Sequence, residues 1–146
     1  MEIFRATLSD EEAVAILIRE LGEAVGVSGD MNPVSWYSTL RKMIASPEWS
    51  FLIAREGPRA EGLLILLIMP SLYLGGNRAT ITELIVTADA QNKGVGALLV
   101  EEAKRIARTM GCEELDVSVE VQNEKAKGFY EKLGFQKKHA DYGMKL

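Results

Sequence analysis

The sequence predicts a mixed α/β or α+β domain, a sheet with helices packed on it. Three observations carry this: two hairpin-linked apolar runs between residues 49 and 86, a strand–loop–helix unit across residues 79–110, and a strand–helix–strand ending. Hairpins give antiparallel neighbours, and strand–helix–strand units add crossover connections to the same sheet. No repeat, low-complexity tract or long linker divides residues 1–146, so one domain is expected, long enough to bury a core.

Taken in order, Ile3–Ala6 reads as a short strand. Ser9-Asp-Glu-Glu is a helix-capping signal, followed by Ala13, Ile16, Leu17, Glu20 and Leu21 at helical spacing. Gly22 to Pro33 is glycine-rich and polar, an exposed loop. A second helix has Pro33 near its first turn and Trp36, Tyr37, Leu40, Met43 and Ile44 on or near its inner face. Trp49–Arg55 is a strand, Glu56–Gly62 a turn, and Leu63–Leu74 the next strand. The apolar stretch Gly62 to Met69, overlapping its start, reads as a central strand buried on both faces. Gly75-Gly76-Asn77 turns the chain back into Ala79–Val86. A helix over residues 94–110, a strand Glu114–Val119, a helix Glu124–Leu133 and a last strand ending near Leu146 complete the pattern.

Composition narrows the function classes. A net charge of −4 argues against a non-specific nucleic-acid binder while leaving room for a local phosphate pocket. The single cysteine, Cys112, rules out an intramolecular disulfide and fits a reducing compartment. The first residues lack a basic-then-apolar leader, and Gly62–Met69 is far too short for a bilayer, so a cytoplasmic protein without membrane contact is expected. No His, Cys or carboxylate cluster has metal-ligand spacing.

The most informative segment is Gln91-Asn-Lys-Gly-Val-Gly96, between the strand Ala79–Val86 and the helix that follows. The first amides of a helix lack internal partners, and the dipole is positive there, so a phosphate is favoured. Gly94 and Gly96 let the main chain approach an anion closely. The loop lacks the Gly-Lys-Ser/Thr ending of a P-loop and the three-glycine Rossmann pattern, which weakens a nucleotide-binding regulator.

Together with Leu84-Ile-Val86 and the segment Asn123-Glu-Lys-Ala-Lys-Gly-Phe-Tyr-Glu-Lys-Leu-Gly-Phe135, this loop resembles the GCN5-related N-acetyltransferase (GNAT) superfamily. That family's pattern is an apolar strand, Arg/Gln-x-x-Gly-x-Gly/Ala, a helix, a strand, Asn, and Phe/Leu-Tyr-x-x-x-Gly-Phe. Every anchor is present in order from about residue 80 onward; residues 1–78 match only in the order of elements. The resemblance implies a mixed, mostly antiparallel sheet of six to seven strands flanked by about four helices. It also implies acetyl-CoA as co-substrate. Its pyrophosphate would rest on the amides of Gln91, Asn92, Lys93, Gly94, Val95 and Gly96, and its pantetheine arm would pair with the backbone of Leu84, Ile85 and Val86. Lys93 either adds charge to this site or is a solvated surface lysine. Two positions depart from the commonest family pattern: Thr87-Ala88 stands for Asp-Pro, and Gln91 for Arg. Neither change removes a backbone donor.

The resemblance also points to Tyr130, which in the family lies beside the CoA sulfur. A phenol is protonated at neutral pH and can donate to a departing thiolate as general acid. Without the motif, Tyr130 reads as an aromatic packed beside Phe129. Asn123 reads as the cap of the Tyr130 helix, and the family also places it near the cofactor. Gly134 and Phe135 read as the helix end and a packing aromatic. An attacking alkylamine must lose a proton, and Glu83 is the first candidate to take it. Period-2 neighbours Ile81 and Ile85 suggest that it is partly buried. The competing reading pairs Glu83 with Arg78; Glu120 and a water relay are the other bases. His139 and Cys112 read as surface or packing residues, and Trp36 and Trp49 as core.

The acceptor is implied to enter beside Gly22–Pro33, the Leu72–Arg78 hairpin and the last strand, where Glu23, Asp30, Glu83 and Asp141 would suit a cationic amine. Small members of this family act on small amines, aminoalkyl compounds or protein N-termini, with slight likeness here to the aminoalkylphosphonate and aminoglycoside branches. The alternative is an acyl-CoA-binding sensor without turnover, which would not require Tyr130. Homodimers are common in the family, and sheet edges permit one here.

Overall fold

The structure, a computed structural model, describes residues 1–24 and 33–146. The chain divides into two compact units, Met1–Asp116 and Val117–Leu146. In the first, β1 (Glu2–Arg5) leads through a tight turn to α1 (Glu11–Ala24), and α2 (Pro33–Ala45) precedes β2 (Trp49–Glu56), β3 (Arg59–Ser71) and β4 (Gly76–Val86). Then come α3 (Val95–Thr109) and β5 (Leu115–Val117), with α4 (Glu124–Lys132) in the second unit. The sheet order is β1-β2-β3-β4-β5. The first three pairings are antiparallel, and the α3 crossover before β5 is the connection a parallel neighbour needs.

Five strands are present among the described residues, where six to seven were expected. The missing ending is residues 135–146, which form no strand. Tyr142, Met144 and Leu146 alternate with Gly143 and Lys145 but are all exposed, so the alternation buries no face.

β3 is the central strand; of the apolar run Gly62–Met69, Gly62–Leu66 and Ile68 are buried, whereas Leu67 is half-buried and Met69 exposed. On one face Phe51, Ile53, Leu63, Ile65 and Ile85 meet Val14 and Leu17 of α1 and Leu40 and Ile44 of α2. On the other, α3 lays Val95 and Leu99 against Gly62 of β3. The expected turn Glu56–Gly62 is shorter: Gly57 takes φ 58° and β3 starts at Arg59, because Gly62 pairs with both Ala54 and Val86. The second hairpin likewise turns before Gly76, with Gly75 at φ 65°.

The entry to α1 begins at Thr7, two residues before the expected Ser9. Asp10 reaches back to the Thr7 amide at 2.8 Å, placing Ser9 inside the first turn. Leu17 is buried as expected, with Ala13 and Leu21 packed on the core, whereas Ile16 is 51% exposed and Val14 takes its place on the buried face. α1 runs through Gly22 to Ala24, so that part of the expected loop is helix; residues 25–32 lie outside the described residues. On α2, Leu40 and Ile44 are buried, with Trp36, Tyr37 and Met43 packed against them, as the pattern predicts. Among the described residues, no helix is long and apolar enough to cross a membrane.

Candidate active site

The phosphate-favouring loop grows out of the end of β4. After Val86, the Thr87 amide donates to the Glu61 carbonyl at 2.9 Å, and the Thr87 carbonyl accepts from Ala90 and Gln91 at 2.9 and 3.1 Å. This closes a single 3-10 turn over Ala88–Ala90. Gln91 bends its side-chain amide back to the Val86 carbonyl at 3.2 Å. Arg59 grips Asp89 at 2.6 Å, and this guanidinium, helped by Lys93, holds the Asp89 carboxyl below its ordinary range. These contacts brace the turn against the start of β3.

Asn92 then takes φ 63° and Gly94 φ 83°, left-handed conformations that re-aim successive amides. Gly94 is the N-cap of α3 and supplies no side-chain hydrogen bond to it. The amides of Val95, Gly96 and Ala97 therefore have neither a helical partner nor a cap. Gln91, Asn92, Lys93 and Gly94 are exposed, whereas Val95 and Gly96 are buried and anchor the helix.

Leu84, Ile85 and Val86 pair on one side with Leu64, Leu63 and Gly62 of β3. A guest chain could hydrogen-bond them only on the side toward β5. At three residues, β5 can accompany only part of the eleven-residue β4. Thr87, a position that sequence reasoning treated only as a departure from pattern, is 5% exposed with no hydrogen-bond partner for Oγ1. A buried orphan hydroxyl at the foot of this loop is unusual.

Glu83 sits at an irregularity in β4. It pairs with Ile65, while Ile81 pairs with Leu66, so Thr82 is the extra residue of a β-bulge. Glu83 is half-buried, as expected, although the bulge breaks the period-2 reason for it. Glu83 and Ile85 share the face of α1 and α2, whereas Ile81 lies on the α3 face with Leu66. The Thr82 hydroxyl donates to the Glu83 carboxylate. Arg78 is not the partner of Glu83; its Nε pairs with Asp116 at 2.9 Å. Glu83 instead faces a cavity of about 400 Å³ between α1, α2 and the sheet.

The second unit holds the other two expected residues on one helix. Asn123 Oδ1 accepts from the Ala126 amide at 3.0 Å, the expected cap of α4. Tyr130 lies in the last turn of α4, buried, with the rings of Phe129 and Phe135 edge-on at 5.1 and 5.3 Å. Gly134, at φ 96°, ends the helix: Phe135 N donates to Tyr130 O, and Gly134 N to Glu131 O, both at 3.0 Å. Burial pushes the Tyr130 phenol up to about 12. Glu120 is exposed, and its carbonyl accepts from the Asn123 amide at 2.9 Å. His139 is exposed, and Asp141 accepts from the Ser118 hydroxyl at 2.7 Å. Cys112 is buried, which pushes its thiol up and disfavours the nucleophilic thiolate. The Glu23 side chain and Asp30 lie outside the described residues.

A model of the acetyltransferase (GNAT) family matches residues 18–135 of the chain. An uncharacterized N-acetyltransferase of Bacillus subtilis (strain 168), YhfO, is 28% identical over 142 residues, 93% of this chain and 90% of the relative. The chloroplastic GCN5-related N-acetyltransferase 7 of Arabidopsis thaliana is 36% identical over 64 residues, 44% of this chain. That match spans only 23% of the plant protein's length. A solved structure from Bacillus halodurans C-125, described as a transcriptional regulator, has 28% identity and a TM-score of 0.87, covering 99% of both chains.

Proposed function

The chain belongs to the acetyltransferase (GNAT) family as an N-acetyltransferase, and we propose that it moves the acetyl group of acetyl-CoA directly to an amine in a ternary complex. The observation that carries this reading is the start of α3, a fifteen-residue helix whose cap, Gly94, brings no side chain to its first amides. Such an end suits a pyrophosphate. In this reading the amides from Asn92 to Gly96 hold that group, the expected Gln91 amide being already given to the Thr87 carbonyl, and Lys93 adds a positive charge. The backbone of Leu84, Ile85 and Val86 aligns the pantetheine arm. Asn123 fixes the start of the helix that bears Tyr130.

Bound acetyl-CoA supplies an activated thioester. The amine lone pair forms the new N–C bond at the acetyl carbon, the C–S bond breaks, and its electron pair leaves on sulfur. Glu83 takes the proton that an ammonium must lose before attack, and the second nitrogen proton, lost as the C–S bond breaks, passes to solvent. The Glu83 carboxylate already accepts from Thr82 and faces the cavity. Tyr130 serves the sulfur. A phenol at about 12 is protonated throughout the neutral range. Its full transfer to a thiolate whose thiol lies near 8.5 is uphill by roughly 3.5 units, about 5 kcal/mol. Tyr130 therefore acts as a hydrogen-bond donor to the charge developing on sulfur, and solvent completes the thiol.

Thiol release from acetyl-CoA against a panel of amines, polyamines, aminoglycosides, aminophosphonates and N-terminal peptides tests this, with Tyr130→Phe beside it. Release with one amine class that drops sharply in Tyr130→Phe is the expected result. Release that Tyr130→Phe leaves unchanged removes the donor role from Tyr130. The second reading, an acyl-CoA-binding sensor, is favoured by the description of the Bacillus halodurans neighbour as a transcriptional regulator. Acetyl-CoA binding without release against any amine would select it.

A further inference from the structure

The geometry of the Glu83 cavity points to its acceptor: we propose a primary monoamine carried on an apolar body, an aliphatic chain or an aryl ring, in preference to a polycation. This rests on the transferase reading above and adds the substrate class to it. At about 400 Å³ the cavity falls within the range of small-molecule clefts. Its walls come from both helices and the sheet: Ile18 of α1, Trp36, Leu40 and Met43 of α2, and Phe51 and Ile65 of the strands. Phe51 is 1% exposed and Ile65 3%, so the floor is the core itself. Trp36 is held edge-on to Tyr37 at 5.0 Å, a rigid wall, while Met43 offers an adaptable thioether.

Glu83 is the one ionisable group among the described lining residues. The bulge at Thr82 delivers it to this face. One carboxylate can neutralise one ammonium while the apolar walls take the rest of the molecule. A second ammonium in the same cavity would be desolvated with no further carboxylate among the described lining residues, which is strongly unfavourable. The polar rim contains Thr39, exposed on α2, whose hydroxyl is turned to the Ser35 carbonyl at 2.9 Å.

The test uses the full chain, acetyl-CoA, and the n-alkylamines from propylamine to hexylamine, with 1,6-diaminohexane, spermidine and kanamycin as cationic competitors. If each added methylene is buried, kcat/KM rises about fourfold per methylene until the cavity fills. 1,6-Diaminohexane should fall at least tenfold below hexylamine. Thr39→Glu, which adds a second carboxylate at the rim, should narrow that gap, and Trp36→Ala should flatten the alkyl series. Thiol release that is flat along the series, or that favours the polycations, overturns the acceptor class and leaves the transferase standing. No thiol release with any amine, whether or not acetyl-CoA shifts the melting temperature, overturns both.

Discussion

Replacing Gly62 by alanine tests whether α3, and the phosphate-favouring loop at its start, depends on a close approach between helix and sheet. A Cβ at Gly62 would lie 2.9 Å from Leu99 Cδ1, 3.0 Å from Val95 Cγ1 and 3.2 Å from the Ile85 carbonyl oxygen. These neighbours have little room to yield: Leu99 is 0% exposed, Val95 2% and Ile85 5%. Overpacking of this kind costs about 1–3 kcal/mol. Removing glycine's freedom from the unfolded chain returns about 0.4–1 kcal/mol. The net expectation is a loss of about 1–2 kcal/mol by urea unfolding, or a melting temperature lower by roughly 2–8 °C. Because Val95 is the first residue of α3, acetyl-CoA affinity should fall as well. Leu99→Ala removes the nearest obstruction. Alone it should cost about 2–5 kcal/mol, and with Gly62→Ala the total should fall short of the sum by at least ~0.5 kcal/mol. A Gly62→Ala protein as stable as the parent, or strict additivity in the double variant, would refute the close-approach argument.

Other expectations concern the site. Tyr130→Phe should lower kcat by about 10²-fold, with acetyl-CoA affinity unchanged in calorimetry. It should also alter alkaline stability. The folded phenol holds its proton up to about 12, against 10 when unfolded, so its share of stability is complete below pH 10 and is lost as pH rises through 12. By pH 11 the parent should have lost about 1.4 kcal/mol that Tyr130→Phe retains, read from urea unfolding at pH 9 and 11. Glu83→Gln should lower kcat by about 10²-fold while leaving the acetyl-CoA dissociation constant unchanged; a fall in affinity without a fall in kcat would remove it as the base. Gly94→Ala meets no atom within 4 Å but must adopt φ 83°. It should cost about 1–2 kcal/mol of stability and weaken acetyl-CoA binding; an unchanged dissociation constant would argue against this loop as the anion site.

Local signals were read correctly where a few neighbouring residues decide the outcome. Asn123 caps α4 and Gly134 ends it, because both motifs close within one helical turn of backbone. The Gln91–Gly96 loop stands at the start of α3 for the same reason: Gly94 tolerates a left-handed cap that other residues resist. Leu40 and Ile44 face the core as their spacing implies. Signals that depend on distant pairing were misread. Gly62 closed the expected turn as well as opening the apolar run; it is a strand residue, small because α3 crosses it.

From the sequence alone come the family, the order of elements through α4, the central buried strand and the ends of α4. These follow from the period of apolar residues and from backbone preferences that act over a few positions. Where Glu83 points and what it faces depend on long-range strand pairing. Its direction follows from the bulge at Thr82, a mismatch between two strands that neither strand's own pattern records. Arg78 was paired with Asp116, thirty-eight residues on, rather than with nearby Glu83. The Thr87 hydroxyl became conspicuous only once its burial and lack of a partner were visible. Register, burial and partner choice depend on residues far apart in the chain, and those contacts exist only after it has folded.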